Sequence, residues 1–364
     1  MPRNQKTAQY TPLATLPLVG PGFRGLNTEL SLSEGVQSSD WASLLDNVVW
    51  DDLGRITLRK GYTFQNDPAS NIGATFEVHH MHEYLQEDGT VSLVCVTFDP
   101  DNPGGDAYKI WRSSDEGITW VDITGDLDLL FSNLDLQFAN FNGDLYIGVS
   151  GHRIHRYNET LTEFKDIADS PISNGSLIGA FGRLWAGTDA NSQIGYSGLL
   201  DGTDWVSLAS GTIDASNAWT DGQDTVEAIA SFGATLVIFG QRHILMYVDG
   251  AGSELGVDPD NLYVVDTIEG TGTLNRDSVI NIGEGDMWFL GPQGIQSLSR
   301  VIEEKVNPLT NISVDQRSLV TDFIIANAGN PSSVKAIYNH VERFVIYSFP
   351  NQNRVLAYDL RFPI

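Results

Sequence analysis

The chain of 364 residues has a single cysteine, little basic charge and no long apolar run. Each shortage removes a class of protein. With Cys95 alone there is no intramolecular disulfide and no cysteine-based metal cluster. Cys95 lies in the apolar run VSLVCVTF, where a buried and inert thiol is expected. Lys and Arg number 21 against 47 Asp and Glu, a net charge of −26. Such a surface repels nucleic acid instead of gripping it. No stretch approaches the roughly 18 apolar residues of a membrane span. The opening MPRNQKTAQYTPLATLPLVGPG has no sustained apolar core of the secretory kind, so synthesis and folding in a cytoplasm are expected. Neither a phosphate-cradling glycine loop with its lysine nor a serine nucleophile elbow occurs.

What is abundant points to strands. There are 36 glycines, 10% aromatic residues and 41% hydrophobic residues, a composition suited to many short strands joined by turns. A turn followed by an apolar strand recurs six times: EDGTVSLVCV from Glu87, FNGDLYIGVS from Phe141, FGRLWAGT from Phe181, FGATLVIFGQ from Phe232, EGDMWFLGPQ from Glu284 and VERFVIYSF from Val341. A second strand follows each one: YKIWRS at Tyr108, RIHRY at Arg153, QIGYS at Gln193, HILMY at His243, GIQSL at Gly294 and RVLAY at Arg354. Six such hairpins predict an all-β chain folded as a six-bladed β-propeller with long inter-strand loops. The expected domains are an N-terminal arm over 1–40 and one propeller over 41–364. The strand GRITLRKGYTF from Gly54 is expected to close the ring by completing the last blade, because an open ring would leave a sheet edge exposed. Helical periodicity is confined to SSDWASLLDNVVW around Ser39 and VDQRSLVTDFI from Val314.

One turn stands out. RSSDEGITW holds Ser113, Asp115, Gly117, Thr119 and Trp120 in the pattern Ser-x-Asp-x-Gly-x-Thr-Trp. It resembles the Asp-box of sialidases and other β-propellers. Ser113 and Asp115 can accept backbone N–H groups, Gly117 can take a positive φ and Trp120 offers a large apolar anchor. None is a positioned acid, base or nucleophile, so the residues are expected to make a structural turn. A looser copy holds Ser197, Asp201, Gly202 and Trp205.

Several patterns in order, GFRGLN with LLDNVVWDDLGRITLRKGY, then SGLLDGTDW, VEAIASFGATLVIFGQRHILMY and LNRDSVINIGEGDMWFLGPQGIQSLS, cover residues 20–364. Together they resemble the propeller of the tail nozzle or tail-hub proteins of short-tailed bacteriophages. The resemblance implies a virion protein assembled in the host cytoplasm and six copies in a C6 ring below the portal and adaptor. Genomic DNA leaves through that ring without specific binding. It further implies the tail adaptor as partner, an attachment point for tail fibres or spikes, no catalytic residue and no cofactor. The chain is shorter than many such relatives, which carry further domains at the tip. The acidic loops DPDNPGGD, with Asp99, Asp101 and Asp106, and GVDPDN, with Asp258 and Asp260, are expected to line a lumen or join neighbours.

Rival chemistries find less support. A sialidase needs three arginines on one carboxylate, a Tyr–Glu pair and an acid/base Asp; Arg24, Arg112, Arg242 and Arg276 are available, but the N-terminal Phe-Arg-Ile-Pro signature appears only as FRGL. In VHHMHEY, His80 and His82 share one strand face and His79 the other, without a third ligand to complete a metal site. Polar strand surface or an intersubunit contact is expected there. The loop DPDNPGGD lacks the twelfth-position Glu of a calcium loop. A glycan- or protein-binding propeller is the alternative reading, with Trp111, Trp205 or Trp219 as stacking platforms; packing between blades is the more ordinary fate of such rings.

Overall fold

In the computed structural model the described residues are 25–29, 41–42, 46, 48–50, 56–58, 72, 76–101, 107–125, 127, 135–219, 224–250, 258–283, 285–304, 312–328 and 333–361. The chain divides into two compact units, Met1–Lys60 and Gly61–Ile364. This differs from the boundary at residue 40 read from the sequence. The first unit holds two small sheets. Strand β1 (Gly25–Leu26) pairs in parallel with β2 (Trp41–Ala42), and β3 (Val48–Trp50) pairs antiparallel with β4 (Ile56–Leu58). Residues 41–42 and 48–50 are therefore strands, not the helix that periodicity around Ser39 predicts; β-branched and aromatic residues favour the pleated pairing. Strand β4, expected to complete the last blade, forms its sheet with β3.

The second unit is a six-bladed β-propeller of antiparallel sheets. Blade 1 holds β5 (Glu77–Leu85), β6 (Val91–Phe98), β7 (Tyr108–Ser113) and β8 (Val121–Asp122). Blade 2 holds β9 (Leu136–Phe141), β10 (Asp144–Val149), β11 (His155–Tyr157) and β12 (Lys165–Asp166). Blade 3 holds β13 (Ser173–Ala180), β14 (Arg183–Thr188), β15 (Gln193–Tyr196) and β16 (Gly211–Asp214). Blade 4 holds β17 (Ala228–Phe232), β18 (Thr235–Phe239), β19 (His243–Asp249) and β20 (Leu262–Glu269). Blades 5 and 6 show three strands each: β21 (Ile280–Gly283), β22 (Asp286–Gly291) and β23 (Gly294–Ser297), then β24 (Lys335–Asn339), β25 (Phe344–Phe349) and β26 (Arg354–Asp359). Between these two blades lie α1 (Leu298–Glu304) and α2 (Arg317–Asn327).

The six turns read from the sequence each join the first and second strands of a blade. Asn142 and Gly143, with φ of 51° and 80°, make the tight β9–β10 turn; positive φ at both central residues matches the right-handed twist of a hairpin. Gly143 is also close to the neighbouring blade, since a Cβ there would stand 2.8 Å from that of Glu87.

Alternation along the second strands explains their apolar runs. A strand sends successive side chains to opposite faces. In β10, Leu145, Ile147 and Val149 pack toward blade 1 while Tyr146 packs toward blade 3. In β18, Leu236 and Ile238 serve the joint with blade 3, and Val237 and Phe239 the joint with blade 5. In β22, Met287 and Phe289 face blade 4 while Trp288 and Leu290 face blade 6. Leu298 and Val301 of α1 add to the 4–5 joint, and Val320 and Phe323 of α2 to the 5–6 joint.

The first strands, or the segments leading into them in blades 5 and 6, are stitched to one another by polar groups. Asn140 Nδ2 donates to the Glu83 carbonyl (2.8 Å), Gln137 Oε1 accepts from Leu177 N (2.9 Å), Ser176 Oγ accepts from Ile229 N (3.1 Å), and Asn275 Nδ2 donates to the Val334 carbonyl (2.8 Å). Among the described residues, five apolar clusters join blades 1–2, 2–3, 3–4, 4–5 and 5–6, and none joins 6 to 1. The end faces keep apolar side chains in water: Met81 (58%), Leu85 (51%) and Val91 (52%) on blade 1, and Ile337 (61%) and Val355 (58%) on blade 6.

Phe289 is fully buried, 5.2 Å from the ring of Phe239 across the 4–5 joint. Phe289→Ala is expected to lower unfolding free energy by about 3–5 kcal/mol. Met81→Ser on the exposed end face is expected to change it by no more than about 0.5 kcal/mol. Denaturant titration of the two variants checks both values.

Candidate functional site

The Asp-box lies between β7 and β8, the third and fourth strands of blade 1. Ser113 closes β7 with its side chain buried; its Oγ accepts from Gly117 N (2.8 Å) and donates to Asp115 Oδ1 (2.8 Å). Asp115 also accepts from Thr119 N (2.8 Å) and from the Thr119 hydroxyl (2.6 Å). Gly117 sits at φ 88°, and the half-buried Trp120 donates its indole N–H to the Gly117 carbonyl (3.1 Å). These bonds hold the Asp115 carboxyl at about 2, below the ordinary carboxylate range, with the Thr119 hydroxyl and amide as the largest causes. All five residues are thus engaged in one another.

The looser copy occupies the same place in blade 3, between β15 and β16. Trp205 donates to the Gly202 carbonyl (2.9 Å), and Asp201 Oδ1 accepts from the amide and hydroxyl of Thr203 (2.9 and 2.6 Å). The Gly202 backbone abuts the ring of Tyr146 in blade 2, where a Cβ would stand 2.6 Å from the phenol. Both boxes use the indole to fasten the turn.

Beside the first box, Arg112 leaves β7 toward blade 2. It donates to the Tyr157 hydroxyl (3.2 Å), to Ser92 Oγ (3.1 Å) and to the Glu159 carboxylate (2.5 Å). Its Nε is buried without a hydrogen-bond partner among the described residues. A cavity of about 180 Å³ opens there between the two blades.

A second charged group, which the sequence reading missed, stands where the first strands begin. Arg276, ahead of blade 5, is 7% exposed and donates to Asp135 Oδ2 at 2.7 Å, at the start of blade 2. Gly175 of blade 3, at φ 95°, makes room, because a Cβ there would meet the guanidinium. Lys335 of blade 6 pairs with Asp277 of blade 5, and both charges act on His80 of blade 1. Burial pushes the Asp135 carboxyl up, against the pull of Arg276. Contacts between residues 141 positions apart leave no local signal; only knowledge of where each first strand starts would mark them.

The remaining candidates fall into separate places. Arg112, Arg242 and Arg276 serve three different neighbourhoods, with Arg242 in the turn that Asp224 caps; Arg24 lies outside the described residues. His80 and His82 pack on Phe138 of blade 2, with ring centroids at 5.5 and 5.3 Å. They are part of the 1–2 joint, which corrects the expectation of a polar strand surface or an intersubunit contact. Burial lowers both to about 4. Asp99 accepts from Asp101 N (3.0 Å), and Asp258 from Asp260 N (3.1 Å) and Asn261 Nδ2 (2.8 Å); both shape their own turns, and Asp106 lies outside the described residues. Trp219 packs on His243 (5.5 Å) and Trp111 donates to Thr97 Oγ1 (2.8 Å), so both rings serve packing. Cys95 is buried, and burial pushes its thiol up to about 12.

No family model and no curated protein matches the chain. Among solved structures it is similar to the extracellular domain of a B. thetaiotaomicron protein described as a hybrid two component system. That match has 11% identity over 79% of this chain and 38% of the other, with a TM-score of 0.42. It is also similar to YCF48 from Cyanidioschyzon merolae, at 10% identity over 78% of this chain and 98% of that one, with a TM-score of 0.43. Likenesses at this level carry no argument about function.

Two acid transitions follow. His80 and His82 have folded-state values below the ordinary 6.5, so the unfolded chain binds more protons between pH 6.5 and 4, and stability falls as pH drops through that window. Replacing both by Gln is expected to flatten melting temperature against pH there. Asp115 is depressed from 3.8 to about 2, so its stabilisation is present above the ordinary carboxylate value and is lost as pH falls toward 2. Asp115→Asn is expected to melt lower than wild type at pH 7, with the gap closing near pH 2.

Proposed function

We propose that the chain is a structural subunit of the tail nozzle, or tail hub, of a short-tailed bacteriophage. Six copies form a ring that extends the DNA channel below the adaptor and gives fibres or spikes a place to attach. The observation that carries this reading is the order of the sequence patterns along the chain. SGLLDGTDW is the third-to-fourth strand turn of blade 3; VEAIASFGATLVIFGQRHILMY is the first three strands of blade 4; LNRDSVINIGEGDMWFLGPQGIQSLS is blade 5.

Two physical features support it. A net charge of −26 gives a surface that repels phosphates, acting over about 8 Å at physiological salt. The unburied apolar faces at the two ends of the blade row differ from each other, as a head-to-side contact repeated around a ring requires. The role needs positioning and repulsion, with no reacting group.

Quantitative peptide mass spectrometry on purified virus particles is expected to find about six copies per particle relative to the portal ring; absence from particles overturns the reading. Crosslinking adds the geometry. With Met81→Cys and Val355→Cys, a bifunctional thiol reagent is expected to link neighbouring copies up to the hexamer, while buried Cys95 stays silent. Links confined to single chains would remove these faces as the ring contact.

A further inference from the structure

We infer that the cleft between the Asp-box and blade 2 is a binding site for one ring of a neutral sugar. The inference is independent of the tail role. At about 180 Å³ the cavity has room for about six waters at 30 Å³ each, the size of a single pyranose ring. Its lining is mixed, as a sugar's surface is. Val121 and Ile123 are apolar and suit the C–H groups of a ring. Arg112, Glu159, Tyr157 and Thr119 are polar and suit its hydroxyls.

The polar groups suit vicinal hydroxyls. The Glu159 carboxylate only accepts, the Arg112 guanidinium only donates, and the Tyr157 hydroxyl does both. Held 2.5 Å apart, the carboxylate and guanidinium can each engage one of two adjacent hydroxyls, one giving its proton and one receiving. Glu159 is half exposed, so it can move to admit a ligand, whereas Arg112 is held by Tyr157 and Ser92. Among the described residues the buried Nε of Arg112 has no hydrogen-bond partner. Charge selects the class further. Glu159 and the overall charge of −26 disfavour an anion, and Arg112 disfavours a cation.

The rim carries strain. Thr162, which lines the cleft, has φ of 62°, a left-handed conformation that costs a β-branched residue energy. Strain of this kind concentrates at ligand clamps. The Thr162 amide donates to the Asn158 carbonyl (3.1 Å), closing the turn that carries Glu159.

The test uses the whole chain. Saturation-transfer NMR is run with the methyl α-glycosides of glucose, galactose, mannose and rhamnose and with the corresponding free sugars. Transfer to at least one is expected at millimolar concentration. Binding of the glycosides assigns the site to a unit within a glycan, whereas binding of free sugars alone assigns it to a monosaccharide. Glu159→Ala is expected to weaken binding at least tenfold, about 1.4 kcal/mol. Val121→Trp, at a position 63% exposed, should fill the cleft without disturbing the core. Equal melting temperatures establish that both variants fold. No transfer from any sugar, or transfer unchanged in both folded variants, overturns the inference.

Discussion

The fold depends on the inner blades, 2 to 5, being buried on both faces. A sheet with one wet face can alternate apolar and polar residues; a sheet between two neighbours cannot. Every second strand in the middle of the row therefore carries two sets of apolar side chains, one for each joint. The joints are fixed together, because a one-residue slip in β18 would exchange Leu236 and Ile238 with Val237 and Phe239 and mismatch both joints at once. Polar work is displaced to the ends of strands, where the boxes, the Arg112 cleft and the Arg276–Asp135 pair all sit.

This division accounts for what was legible. The second and third strands of all six blades could be read from the turns and apolar runs, which are continuous where both faces are buried, as in β14 and β18, and alternate in β25. The first strands were harder to read. SNGSLIGA of β13 and AIASF of β17 are built from small residues, since first strands approach one another closely: a Cβ on Gly179 would stand 2.8 Å from the Asn140 carbonyl. Small residues carry little periodic signal. Strands β8 and β12 are two residues long, too short to carry any. The helix at Arg317–Asn327 was visible as a 3.6-residue period, whereas α1, at seven residues, follows β23 with no break in composition.

The candidate sites divide in the same way. The first Asp-box was legible because its partners lie within seven residues of one another. Its copy in blade 3 fits loosely because the turn there is held by the indole-to-glycine bond and by Tyr146 of the next blade, which spacing does not encode. The cleft at Arg112 needs Tyr157 and Glu159 from blade 2, and the Arg276–Asp135 pair needs residues from blades 5 and 2. Long-range charge partners are chosen by topology, so the residues look ordinary until the blades are in order.

Among the described residues no sixth apolar joint links blade 6 to blade 1, and this gives the ring a beginning and an end. A closed ring of equal joints has no preferred place to open. A row of five behaves instead like a linear array of neighbours, whose terminal members are each held from one side only. Protection against amide exchange should then be graded, highest in the β14 and β18 backbones at the centre of the row and lowest in β5 and β26 at its ends. Such a molecule yields at one seam while the middle stays intact, as a split washer does under load.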